Sequence, residues 1–211
     1  MTHHFEPLVR QIWKSVEATR DIVTGQQIKM PAVTLTEPRS NEARFADDFP
    51  VMKHLEHALK LARGYGLAPL ADDIATHAAR FRWSQNASYN DSNCSRSFLD
   101  GYAYAGLAGP DAPLPWAAPR TGVMLMGPNV LYPGHNHEAR EIYMLLTPGA
   151  EWRLDNGEWF RPNAGDLIFH DSWQMHEMRT TAQPMLAVAA WIEDGDRASI
   201  QWDEARKGAT V

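Results

Sequence analysis

His135, His137, Glu141 and Tyr143 lie within one short stretch, LYPGHNHEAREIYMLL (131–146), that is apolar at both ends. A run of this kind reads as a buried strand, and burying polar groups costs free energy unless each finds a partner. Side chains alternate faces along a strand. All four positions are odd, so a strand that bends while keeping its parity turns all four toward one interior. Imidazoles and a carboxylate converging there predict a divalent transition metal, and this ligand chemistry suits Fe, Zn, Mn, Co or Ni. A further ligand must come from another strand. PNAGDLIFHDSWQMHEM offers His170 and His176, and their equal parity leaves both open.

The elements that must hold these residues follow from the pattern on either side. Beyond Thr121 the chain runs as short strands between turns: GVMLM, NVLYPG, REIYMLL, EWRLDNGEWF, DLIFH, HEMRT and PMLAVAAWIE. Asp-Asn-Gly at 155–157 is a hairpin signal, and strands at this spacing predict a small barrel or sandwich. The first part of the chain is helical in pattern. Phe5, Leu8, Ile12, Trp13, Val16 and Val23 fall near the 3.6-residue period, with Gly25 as a stop. Further helices are expected over 51–64 (Met52, Leu55, Leu59, Ala62) and about 70–83 (Leu70, Ile74, Ala78, Phe81). Residues 30–50 hold three prolines and read as loop. The expected organisation is mainly β with α: a helical region over 1–83, a connector with extra edge strands over 84–120, and a barrel over 121–211. Within the connector, SFLDGYAYAGLAG fits strand or helix.

With 211 residues, 44% of them hydrophobic, the chain can bury one substantial core. A net charge of −6 provides no basic field for nucleic acid or an anionic membrane. No apolar run approaches the ~20 residues needed to span a bilayer, and charges interrupt the N-terminal apolar pattern, unlike a secretory signal. The single cysteine, Cys94, allows no internal disulfide and suits the cytoplasm.

HNHEARE followed by PNAGDLIFHDSWQMH resembles the two cupin motifs. The second reads P-x-x-G-D, a hydrophobic strand, a turn, and a histidine eleven residues after Gly165. That count selects His176 over His170. The chain departs from the usual pattern in two places: Gly127 lies too far upstream of His135, and the Glu141–Gly149 spacing is one residue longer. A helical region before a cupin, with Tyr132 and Tyr143 in these positions, is similar to the cupin-type dimethylsulfoniopropionate (DMSP) lyases. The resemblance implies a cupin fold (double-stranded β-helix) and β-elimination of DMSP to dimethyl sulfide and acrylate. It implies His135, His137, Glu141, Tyr143 and His176 at the metal, with His135 either a ligand or a substrate contact. Tyr132 and Tyr143 are then the catalytic tyrosines, and Tyr132 the first candidate base.

DMSP is a small zwitterion. Its sulfur leaves neutral and needs no acid, whereas removing a proton next to a carboxylate builds charge that a cation can stabilise. The sulfonium calls for an aromatic wall. Trp152, Trp159, Trp173 and Trp191 could supply one, Trp173 foremost because it precedes His176 in a loop. Competing readings are another metal-dependent cupin enzyme (a dioxygenase or isomerase) and a non-catalytic cupin sensor. Against the sensor, the helices show no helix-turn-helix pattern. They are expected to cap the barrel mouth or form a homodimer face.

Overall fold

The computed structural model describes residues 4–38, 44–46, 48–193 and 198–200. In chain order, α1 (Glu6–Glu17) is followed by β1 (Thr34–Leu35), β2 (Arg44–Phe45), α2 (Leu55–Ala62) and α3 (Ala68–Ala78). Then come β3 (Trp83–Gln85), α4 (Arg96–Gly101), β4 (Tyr102–Ala108), β5 (Trp116–Ala118), β6 (Arg120–Met126) and β7 (Leu131–His137). The chain continues through β8 (Glu141–Leu145), β9 (Ala150–Leu154), β10 (Leu167–His170), β11 (His176–Thr180), β12 (Met185–Trp191) and β13 (Ala198–Ile200). A seven-stranded sheet runs β10-β8-β12-β6-β4-β3-β2, a four-stranded sheet runs β13-β7-β11-β9, and β1 pairs with β5.

The mainly-β barrel behind a helical segment is thus present. The period of two explains how one sheet serves two cores. Val123 and Leu125 of β6, Ile142 and Met144 of β8, and Leu186 and Val188 of β12 pack outward in one cluster with Leu8, Ile12 and Trp13 of α1 and Leu59 and Ile74 of α2 and α3. Their chain neighbours Met124, Met126, Tyr143, Leu145, Met185 and Ala187 point inward, where they share a second cluster with Trp152 and Met178 of the four-stranded sheet. A strand buried on both faces reads as a nearly unbroken apolar run, as β8 does. Trp13 Nε1 donates to Thr121 Oγ1 at 3.0 Å and fastens α1 to β6.

Several elements differ from the sequence expectations. The first helix ends at Glu17, not Val23. The chain then runs along the sheet edge, where the Ile22 N–H donates to Leu167 O and Asp21 accepts from the Phe169 N–H. Such a cover satisfies an edge strand that would otherwise offer unpaired backbone. The third helix stops at Ala78. Phe81 still packs, against Phe5 and Trp83, so its apolarity mimics the helical register without continuing the helix. Gly66, at φ 83°, turns the chain between α2 and α3.

Residues 102–108 form a strand in the sheet interior, between β6 and β3, not at an edge. The loop expected at 30–50 contains β1 and β2. Asp155 and Asn156 both take positive φ, as a tight hairpin turn requires. The following run, however, makes only a Trp152–Phe160 bridge, and Pro162 lacks an N–H to extend a ladder. Residues 201–211 of the expected barrel segment lie outside the described residues.

Candidate metal centre

The stretch 131–146 is two strands. β7 belongs to the four-stranded sheet and β8 to the seven-stranded one, so the turn between His137 and Glu141 carries the chain across the barrel. Parity survives the crossing: His135, His137 and Glu141 enter one donor cluster around His176, and Tyr143 lies in the inner hydrophobic cluster. Register brings their partners. His176 sits opposite His135 on β11, while His170 on β10 and Trp191 on β12 flank Glu141 from either side. Directly opposed residues in an antiparallel pair share a face and touch. The His135 and His176 rings lie 4.1 Å apart, and the His170 and His176 rings stack at 3.9 Å.

One donor atom each from His135, His137 and His176 falls within 4.8 Å of the others, and the same holds for Glu141, His170 and His176. Three of these histidines are locked in one tautomer by backbone. His135 Nδ1 lies 2.9 Å from Pro133 O, His137 Nδ1 2.7 Å from Ala139 O, and His176 Nδ1 2.9 Å from Gln174 O. A carbonyl only accepts, so each Nδ1 carries the proton and, in the neutral ring, each Nε2 offers a lone pair.

Two of those Nε2 atoms face a carboxylate. Glu141 Oε2 is 3.0 Å from His137 Nε2 and 3.4 Å from His176 Nε2. The buried His176 Nε2 has no hydrogen-bond partner, and burial pushes that imidazole down to about 4, so it does not take up a proton to bond the carboxylate. Burial likewise holds His135 well below its ordinary value. His137 is raised: burial, the largest single influence, lowers it, but the Glu141 charge and the hydrogen bonds to Glu141 and Ala139 O together outweigh burial. Burial would raise Glu141, yet His137, His170 and His176 keep it well below the carboxylate range. The unpartnered His176 Nε2 beside that carboxylate calls for a positive charge between them, and an imidazole–carboxylate donor set fits a divalent transition metal.

His170, set aside by the motif count, lies in the same cluster. Its Nδ1 is 3.4 Å from Glu141 Oε2, and its Nε2 accepts from Trp152 Nε1 at 3.0 Å. Its parity with His176 was a usable signal. The sequence suggests Trp191 only as part of a cation wall, but its Nε1 donates to Glu141 Oε1 at 3.1 Å. Trp159 already has two guanidiniums over its ring, those of Arg153 and Arg179 at 4.9 and 4.3 Å. Trp173 is 41% exposed, and its backbone N–H donates to His137 O.

Tyr132 is buried with its ring 4.6 Å from His135. Around it stand Phe98 at 4.7 Å, Tyr102 at 5.5 Å and Tyr89 at 6.2 Å. The Tyr89 and Tyr132 hydroxyls are 3.1 Å apart. Tyr89 comes from the polar QNASYNDSNCS segment, where nothing in the local pattern marks it. Tyr143 packs on Trp152 and His170 at 5.0 and 5.6 Å. Burial, helped by neighbouring phenols, holds Tyr132 well above its ordinary value; burial and the Glu141 charge do the same to Tyr143.

The chain is similar to proteins of one family. DMSP lyase DddQ of Ruegeria pomeroyi is 29% identical over 133 residues, 63% of this chain and 65% of that protein. The match therefore spans a little under two thirds of the relative's length. DddL of Cereibacter sphaeroides is 26% identical over 201 residues, 93% of this chain and 82% of its own. The crystal structure of DMSP lyase DddQ from Ruegeria pomeroyi superposes with a TM-score of 0.69 at 22% identity, covering 95% of this chain and 97% of that one. The fold is accordingly a cupin barrel. The family model for dimethylsulfoniopropionate lyase matches residues 23–187, most of the chain, and the protein belongs to the DMSP lyase family.

Proposed function

We propose that this protein is a metal-dependent carbon–sulfur lyase that cleaves DMSP to dimethyl sulfide and acrylate. His135, His137, Glu141 and His176 hold one divalent ion (Fe, Zn, Mn, Co or Ni), with Tyr143 beside them on the same face of β8. Such an ion, when bound, stabilises the negative charge that builds on the substrate carboxylate as the neighbouring carbon loses its proton.

The protein groups do the rest. Tyr132 is the base. Its oxygen takes the proton from the carbon next to the carboxylate, and the C–H electron pair becomes the new C=C bond. The C–S bond breaks, and its pair leaves on sulfur as neutral dimethyl sulfide. Burial alone opposes the phenolate this requires, and positive charge in the adjacent cluster favours it. Tyr89, 3.1 Å from the Tyr132 oxygen, donates to the phenolate. The rings of Tyr89, Phe98 and Tyr102 cluster around Tyr132 and are assigned to the sulfonium, each contact contributing about 0.5–2 kcal/mol. Trp173, exposed at the rim, is assigned to the approach of that cation.

The observation that carries this reading is a buried tyrosine with its ring 4.6 Å from an inward-facing histidine of the donor cluster. The test is headspace gas chromatography after adding DMSP to protein loaded with each of the five metals in turn. Dimethyl sulfide is expected with at least one of them; none with any of the five overturns the assignment.

A further inference from the structure

The structure assigns His170 a task of its own: it is the positioning residue for Glu141, held out of metal ligation by Trp152. The inference rests on the reading that this cluster binds a cation. Three observations carry it. First, register places His170 directly opposite Glu141 on the neighbouring strand, so the two side chains share the inward face whatever their rotamers. Second, the indole N–H of Trp152 points at His170 Nε2 from 3.0 Å. An indole nitrogen only donates, so Nε2 must carry the lone pair and, in the neutral ring, Nδ1 must carry the proton. Third, that Nδ1 faces Glu141 Oε2 at 3.4 Å.

The tautomer decides the role. A ligand needs a lone pair on the nitrogen facing the ion. His170 could offer one from Nδ1 only by moving its proton to Nε2, where it would meet the Trp152 N–H head on. Both side chains are fully buried, so no solvent relieves that clash. His135, His137 and His176 present the opposite arrangement, with Nδ1–H on backbone carbonyls and Nε2 inward. His170 therefore works through Glu141. Its N–H fixes one carboxylate oxygen while Trp191 Nε1, 3.1 Å from the other, fixes the second. The carboxylate is gripped from both neighbouring strands, and its stacking on His176 at 3.9 Å keeps the His170 ring in plane. Outer groups of this kind typically change metal affinity by roughly 10- to 100-fold.

The test uses the full-length protein, Co(II) as the probe, chelator competition for affinity, and the visible spectrum of the bound ion for geometry. His170→Phe keeps the ring but loses the donor. It is expected to bind Co(II) roughly 10- to 100-fold more weakly with an altered spectrum. His170→Asn, whose amide N–H falls near the imidazole Nδ1, is expected to restore most of the affinity. Trp152→Phe frees the tautomer and is expected to shift the Co(II) spectrum. Unchanged affinity and spectrum in His170→Phe overturn the inference. Should that variant fail to fold by circular dichroism, an unchanged spectrum in Trp152→Phe overturns it instead. A wild-type protein that takes up no Co(II) overturns the cation reading itself and this inference with it.

Discussion

His135, His137 and His176 each face inward through Nε2 for a strictly local reason: the carbonyl that takes the Nδ1 proton lies two residues away in every case. The short-range backbone sets the tautomer before any metal arrives. Tyr132 is the contrasting residue, because its hydroxyl partner is Tyr89, 43 positions away in sequence. Tyr132→Phe removes the proposed base and none of the proposed metal donors. Full metal content by elemental analysis is expected, with the initial rate of dimethyl sulfide release down by at least 10²–10⁴-fold. Tyr89→Phe removes one hydrogen bond to the proposed phenolate, worth about 1.5 kcal/mol, and a roughly tenfold slower rate is expected. Near-normal turnover in Tyr132→Phe would move the base to Tyr143.

At the scale of elements, the site depends on how the chain turns between β7 and β8. Both ligand strands were legible from alternation, but their separation into different sheets was not. A run with apolar residues at both ends reads the same whether it stays in one sheet or crosses between two. The turn is held from outside. The Arg140 N–H and guanidinium grip Glu193, with the closest contact at 2.8 Å, and the Ile192 N–H donates to Arg140 O. The hydrogen bond from Arg140 keeps the Glu193 carboxyl below its ordinary value of 4.5. A depressed carboxyl contributes stability that is present above the unfolded value and lost as pH falls through the folded one. Both side chains are more than a third exposed (46% and 37%), so screening limits the pair to less than about 1 kcal/mol. Glu193→Gln is accordingly expected to lower urea-unfolding stability by under about 1 kcal/mol at neutral pH. The gap to wild type should close as pH falls below the ordinary carboxyl value of 4.5. A gap that persists at the acid end would show that the pair acts through packing and not charge.

Across the whole molecule, α1, α2 and α3 pack on the outer face of the seven-stranded sheet, while α4 lends Phe98 and Leu99 to the inner cluster, into which the donor cluster opens. Residue 123 serves the first core and residue 124 the second. Among the described residues no helix is long and apolar enough to cross a membrane. A cation that binds only the folded cluster stabilises the entire fold by mass action, by about 4 kcal/mol when free metal is a thousandfold above Kd. For a chain of this size that corresponds to about 8–16 °C in Tm. Scanning calorimetry with and without chelator is expected to show such a drop in the wild type and none in Glu141→Ala. Equal melting in the wild type under both conditions would place the metal elsewhere or nowhere.

The sequence by itself determined what local chemistry can determine. The alternation of strands, the inward parity of His135, His137, Glu141 and Tyr143, and the motif spacing that singles out His176 all depend on neighbours a few residues apart. Only the tertiary structure decided that His170 stands opposite Glu141, 29 positions away, that Trp152 sets its proton, and that Tyr89 reaches Tyr132. Those pairings follow from strand register and from a loop laid over the barrel. Register is set by the packing of two whole sheets, a sum over many distant contacts that no short stretch of chain contains.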